Sequence, residues 1–210
     1  MSFLNDWLTV FVIGLAAVIS PGPDFALTLR NSLFYSRQTG IYTAMGVTAG
    51  HVVHATYCLV GIGAIISRSI LLFNTLKWVG AAYLIYIGLK SLRAKKHSYS
   101  VDSKQRSKDI SRWMAFRIGL LGDLLNPKAT LFFLALFTQI IHPATPLVTQ
   151  AFYGATIVTI ALVWYNLVAL LISQRIVKNT LESISHWLER VAGAVLIALG
   201  LRLAFARARD

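Results

Sequence analysis

Ser20-Pro21-Gly22-Pro23-Asp24 lies inside an apolar segment rather than beside one. Apolar residues run from Trp7 to Ile19 and resume from Phe25 to Leu29, which places two prolines, a glycine and a carboxylate near mid-membrane depth. Proline removes an amide donor and clashes with the preceding turn, and hydrocarbon offers the freed backbone groups no partner. The break must therefore face protein or water. A charge at the bilayer centre costs at least about 2.5 kcal/mol, so an acid there is a functional candidate by default. Asn126-Pro127-Lys128 interrupts a later apolar segment at the corresponding place. Two broken helices in matching positions are the sequence pointer to a transporter site.

Composition agrees with a membrane chain. Of 210 residues, 56% are hydrophobic and 13% charged, and the mean hydropathy is +0.64, far from a soluble domain. No cation precedes the first apolar run, so that run does not read as a cleaved secretory signal. The single cysteine, Cys58, excludes an intramolecular disulfide or a dithiol relay. The formal net charge is +12, but nine of the twenty cations fall between Lys90 and Arg117. In a chain this apolar, such a cluster reads as a cytoplasmic loop facing lipid headgroups, not as a nucleic-acid surface.

Six segments approach or exceed the roughly 20 apolar residues that span a bilayer: 7–29, 41–66, 70–90, 113–141, 147–173 and 187–206. Ser67-Arg68-Ser69 predicts a tight hairpin between the second and third. The polar stretch from His97 to Asp109 divides the chain into a first three-span repeat over 1–96, a basic loop over 97–112 and a second three-span repeat over 113–210. Residues 82–90 match residues 194–202 at an offset of 112, and Pro23 and Pro127 lie 104 apart. With an odd number of spans in each half, the second half must enter from the opposite face. The fold expected is thus an all-α membrane protein of six transmembrane helices, two inverted three-helix repeats with helices 1 and 4 broken.

Cations are unevenly shared between the two sides. The loops after the first, third and fifth spans carry 2, 9 and 3, together 14, against 5 for the termini and the remaining loops, with Lys128 assigned to a span. The positive-inside rule then puts both termini outside and the long basic loop in the cytoplasm, though Arg202, Arg207 and Arg209 weigh against it. Gly46 and Gly50 form a G-x-x-x-G pattern, and Gly80, Leu84 and Gly88 a similar stripe, which speak for close helix packing and offer a face for a homodimer.

Candidate site residues follow from the breaks. Aligning Pro23 with Pro127 sets Asp24 opposite Lys128, so inverted symmetry would bring an acid and a base to one central cavity. A zwitterionic solute needs a partner for its ammonium and donors for its carboxylate, which these residues and the half-helix N-termini after each proline supply. The competing structural reading has Asp24 capping exposed amides and Lys128 snorkelling. Asp123 is a second candidate for carrying a proton if it lies at membrane depth rather than at the interface near Arg117. His51 and His54 share a helix face and could relay a proton or bind a metal, but without an H-E-x-x-H, C-x-x-C or acid cluster they read first as satisfied interior histidines. Tyr83, Tyr86, Trp164, Tyr165 and Asn166 could line a cavity, yet such residues more often anchor span ends. No phosphate loop is present, which argues against ATP drive within the chain. Nor is there a convincing nucleophile-base-acid arrangement.

Taken together, Ser20-Pro21-Gly22-Pro23-Asp24 and Gly122-Asp123-Leu124-Leu125-Asn126-Pro127-Lys128-Ala129, with Gly40 to Gly50 following the first, resemble the LysE/RhtB family of bacterial amino-acid exporters. The likeness is strongest to its homoserine and threonine efflux branch and covers nearly the whole chain. It implies secondary export of an amino acid or derivative across the bacterial cytoplasmic membrane, coupled to proton antiport, with no bound cofactor and no enzymatic turnover. Site roles carry over to Pro21, Gly22, Pro23, Asp24, Asn126, Pro127 and Lys128, with Asp24 and Asp123 as proton-coupling candidates. Substrate identity does not carry over. The rivals are a divalent-cation exporter, which would need hard oxygen ligands in the spans, and an intramembrane enzyme using His51 or His54.

Overall fold

The computed structural model describes residues 3–68, 70–93, 108–141, 145–171, 186–198 and 200–201, with side chains left aside at 62–68, 70–74, 76 and 77. Among the described residues the chain is all helix with no strand. The elements are α1 (Phe3–Ile19), α2 (Pro23–Phe34), α3 (Arg37–Arg68), α4 (Ile70–Leu92), α5 (Arg112–Leu124), α6 (Pro127–Ile140), α7 (Leu147–Leu171) and α8, taken as 186–198. Ser69, at the centre of the expected hairpin, most of the basic loop and the C-terminal arginines lie outside the described residues.

Both breaks fall where the prolines require them. α1 and α2 meet at 49° and α5 and α6 at 56°. Pro21 has no amide to give the Ala17 carbonyl and Pro23 none for Ile19, so α1 stops. α2 then starts with proline at its first position, where a missing N–H costs nothing. The second break is capped: Asn126 Oδ1 accepts from the Lys128 amide at 3.0 Å, again with proline at the helix start. Gly22 precedes α2 without any side-chain cap, so Asp24 is not the capping residue.

Length and apolarity qualify α7 as a complete span, and each bent pair qualifies when its two halves are taken together. Large apolar side chains such as Val60, Trp78, Leu121 and Val148 stand exposed on the outside, a surface suited to hydrocarbon rather than water. The core gathers Val10, Phe25, Leu29, Leu84, Phe133, Phe137 and Ile157 from five different helices.

Glycine sets the closest crossings. A Cβ at Gly46 would collide with the Phe116 carbonyl, and one at Gly119 with the Thr43 carbonyl, so α3 and α5 pack backbone to backbone. Gly88 and Gly193 face each other across α4 and α8, with a Cβ on either meeting the other's carbonyl at 2.7 and 2.6 Å. Gly80 rests on Ala135 of α6. The G-x-x-x-G face and the Gly80–Gly88 stripe are therefore consumed inside the protomer. Any dimer has to use another surface.

Candidate functional site

The two breaks meet. A cavity is lined by Ser20, Gly22, Pro23 and Asp24 from the first break and Asn126 and Lys128 from the second. Asn126 Nδ2 donates to Asp24 Oδ2 at 2.7 Å, and Lys128 Nζ donates to the Ser20 carbonyl at 3.0 Å. That carbonyl lies in the break itself, past the last residue of α1. Gly22 makes room for the lysine: a Cβ there would sit 3.1 Å from Nζ and 3.3 Å from Cδ. Lys128 thus points into the cavity instead of snorkelling. Among the described residues it makes no ion pair with Asp24, whose Oδ1 is buried without a hydrogen-bond partner.

Of the residues expected to form the site, Gly22, Pro23, Asp24, Asn126 and Lys128 line this cavity, whereas Pro21 and Pro127 shape the breaks from outside its wall. Tyr83 of α4 and Tyr165 of α7 also line it. Tyr86 and Trp164 do not. Asn166 spends its amide on the Leu162 carbonyl.

Asp123 is wholly buried within the protein. His51 Nδ1 lies 3.1 Å from its Oδ1 and His54 Nε2 3.2 Å from its Oδ2. These are close contacts rather than aligned hydrogen bonds, and each ring nitrogen also faces a backbone carbonyl at 3.1 Å, Val47 for His51 and Asp123 itself for His54. The other nitrogen of His54 contacts the Tyr57 hydroxyl at 2.6 Å. Phe133 stands edge-on to His51 and stacks on His54, closing the cluster from α6. Gly50 creates the space: its missing side chain leaves the volume that the Asp123 carboxylate fills.

His51 is both a partner of Asp123 and part of the cavity wall, so the histidines do more than fill an interior. Their sequence signal is two imidazoles three residues apart in an otherwise apolar span, beside a glycine stripe. Asp24, His51 and Asp123 each bring one nitrogen or oxygen to within 4.8 Å of the others, a mixed donor set that a divalent cation accepts. Chemically, the cavity wall offers the Asp24 carboxyl, the Lys128 amine, the Asn126 amide and the His51 imidazole, the last backed by Asp123 behind the wall. Such a set suits a small solute carrying both charges.

Comparison with known families matches residues 15–207 to LysE type translocators. The chain is 27% identical over 202 residues to the threonine efflux protein of Escherichia coli K12, covering 96% of this chain and 98% of that one. It is 30% identical over 205 residues to the homoserine/homoserine lactone efflux protein of Salmonella typhimurium, covering 96% and 97%. It is 28% identical over 208 residues to an uncharacterized membrane protein, YrhP, of Bacillus subtilis, covering 95% and 98%. No solved structure matches the chain.

Proposed function

Because the chain belongs to the LysE type translocator family, we propose that it is a secondary transporter exporting an amino acid or close derivative across the bacterial cytoplasmic membrane. The substrate is of the threonine and homoserine kind or another neutral amino acid, in line with what the relatives' names say of those proteins. Export is driven by protons moving the other way, with Asp24 or Asp123 as the proton carrier. The observation that carries this reading is the junction of two proline breaks, which sets Asp24, Asn126 and Lys128 around one cavity. Lys128 is placed for the substrate carboxylate and Asp24 for its ammonium.

The scaffold we propose is six spans in two inverted repeats, with both termini outside and the basic loop inside. Reciprocal contacts support it. A two-fold relating residue 24 to 128 and 22 to 126 turns the Asn126–Asp24 contact into a Gly22–Lys128 contact, and both occur. With the 112-residue offset, Gly88 against Gly193 becomes Gly200 against Ala81, and that contact also occurs.

The test is efflux of radiolabelled threonine, homoserine, leucine, lysine and arginine from loaded vesicles, with a protonophore arm. Wild type moves at least one neutral amino acid and slows when the proton gradient is collapsed, whereas Asp24→Asn, inserted normally, loses at least tenfold. Failure of every amino acid would defeat the reading. The Asp24–His51–Asp123 donor set favours one alternative, divalent-cation export. It predicts gradient-driven movement of manganese or cadmium by a wild type that ignores the whole amino-acid panel.

A further inference from the structure

The buried face of α2 is polar for most of its length. Asp24, Thr28, Asn31 and Ser32 recur at i, i+4, i+7 and i+8 and so share one side of the helix. That side packs on α3 and is closed to solvent, with Thr28, Asn31 and Ser32 at 0%, 1% and 3% exposure. From Asn31 the polar contacts run on without a gap: Asn31 Nδ2 donates to Thr43 Oγ1 at 3.0 Å, Thr43 Oγ1 to the Thr39 carbonyl at 2.9 Å, and Thr39 Oγ1 to Asp109 Oδ1 at 2.7 Å. Asp109 belongs to the polar segment just ahead of α5. The column therefore reaches from the cavity at Asp24 to the membrane face that carries the basic loop, here termed the loop side.

Three atoms along it are buried with no hydrogen-bond partner: Asp24 Oδ1, Thr28 Oγ1 and Asn31 Oδ1. Such atoms are rare in folded proteins and are normally supplied by water or ligand. Helix packing does not require them here. Aligned on the two prolines, Thr28, Asn31 and Ser32 correspond to Phe132, Ala135 and Leu136 of α6, which are equally buried at 6%, 0% and 1%. One half of the molecule packs this face with apolar groups, and the other keeps polar groups with unfilled valences. Polar side chains return on α6 only in its last turn, at Thr138 and Gln139.

We infer that the α2–α3 seam is the loop-side half of the permeation path, lined by Thr28, Asn31, Thr43 and Thr39, and that the matched apolar face of α6 is the barrier on the opposite side. The occupant is a small zwitterion with its water, which trades hydration for these hydroxyls and amides on its way to Asp24. In the conformation described here the seam is shut, because Ser32 packs directly on Gly40, where even a Cβ would overlap it. Passage then requires α2 and α3 to part at that end. The inference rests on the export reading only in needing a polar solute to travel.

The test uses Cys58, the one cysteine, as a background to remove. In Cys58→Ala, cysteines are placed at Thr28 and Asn31 on the column, at Leu29 one position off it, and at Ala135 on the α6 face. A charged, membrane-impermeant methanethiosulfonate is then applied to vesicles of known orientation. Thr28→Cys and Asn31→Cys react from the loop side at least tenfold faster than Leu29→Cys and Ala135→Cys, and excess substrate slows them. If the variants still move an amino acid while Thr28→Cys and Asn31→Cys react no faster than Leu29→Cys, or react only from the far side, the inference is overturned. A wild type that moves no amino acid while the column still labels from the loop side sinks the proposed function and leaves the path standing. Should a cysteine variant misfold, Thr28→Val keeps the shape and removes the hydroxyl. It slows efflux at least fivefold with an unchanged melting temperature, and unaltered efflux in Thr28→Val would count against the path.

Discussion

Asn126 ties the two breaks together with one side chain: its carbonyl caps α6 and its amide reaches Asp24. The two roles separate by substitution. Asn126→Ser keeps an oxygen for the Lys128 amide but cannot reach Asp24, whereas Asn126→Ala loses both. A lost cap costs about 0.5–2 kcal/mol, so thermal unfolding in detergent places Asn126→Ala below Asn126→Ser, with efflux impaired in both. Asp123 gives a larger effect. Removing a charge from a buried pair costs about 3–5 kcal/mol because the partners stay buried, and here two histidines lose their acid at once. Asp123→Ala unfolds well below wild type, and Asp123→Asn, which keeps polar contact with His51 and His54, falls between them. At this scale the acids were legible, since a carboxylate inside an apolar run is conspicuous in any reading of the chain. The histidines were not, because what an imidazole does depends on what faces it, and Asp123 is 69 residues from His54.

The bends at Pro23 and Pro127 follow from proline chemistry alone, and both helix starts fall where a missing amide is harmless. Which glycines do what was hidden. A G-x-x-x-G pattern announces a close crossing without naming the partner, and α5, which meets Gly46, was not recognisable as a separate helix until the break at Asn126 was placed. The consequence is a sharp contrast between glycines of one helix. Gly46→Ala drives a methyl into the Phe116 backbone, which cannot yield without moving α5 away from α3. Gly61, farther along α3, has nothing within 4 Å of a built Cβ, so Gly61→Ala gains the roughly 0.5–1 kcal/mol by which alanine exceeds glycine in a helix. Melting temperatures in one detergent therefore move in opposite directions. Gly50→Ala adds a functional signature: its methyl displaces the Asp123 carboxylate from the histidines, and efflux falls by more than the loss of stability explains.

The number of crossings decides whether the halves are inverted. Each bent pair, α1 with α2 and α5 with α6, is compatible either with one span broken at its middle or with a segment that enters and returns on the same side. In the proposed scaffold, where α3, α4, α7 and α8 each cross once, two crossing pairs give six passes, both termini share a side, and three spans per half force the second half to enter from the opposite face. If one pair re-enters, the count drops to five and the termini part. The cation distribution does not separate them, because the N-terminus and the loop before α7 carry none and the two segments that would exchange sides after α7 carry three each; the reciprocal Asn126–Asp24 and Gly22–Lys128 contacts favour the first arrangement, because a two-fold in the membrane plane exchanges such pairs. Reporter fusions separate the cases. Alkaline phosphatase, active only outside, is active when fused ahead of residue 3 behind an export signal and after residue 210, and inactive within 97–112; a fluorescent protein that matures only inside gives the complementary pattern. Termini on opposite sides would remove the two-fold, and with it the pairing of Asp24 with Lys128 as symmetry mates. The cavity would then be a meeting of two unrelated breaks, and the polar face of α2 could no longer be compared with that of α6 position by position.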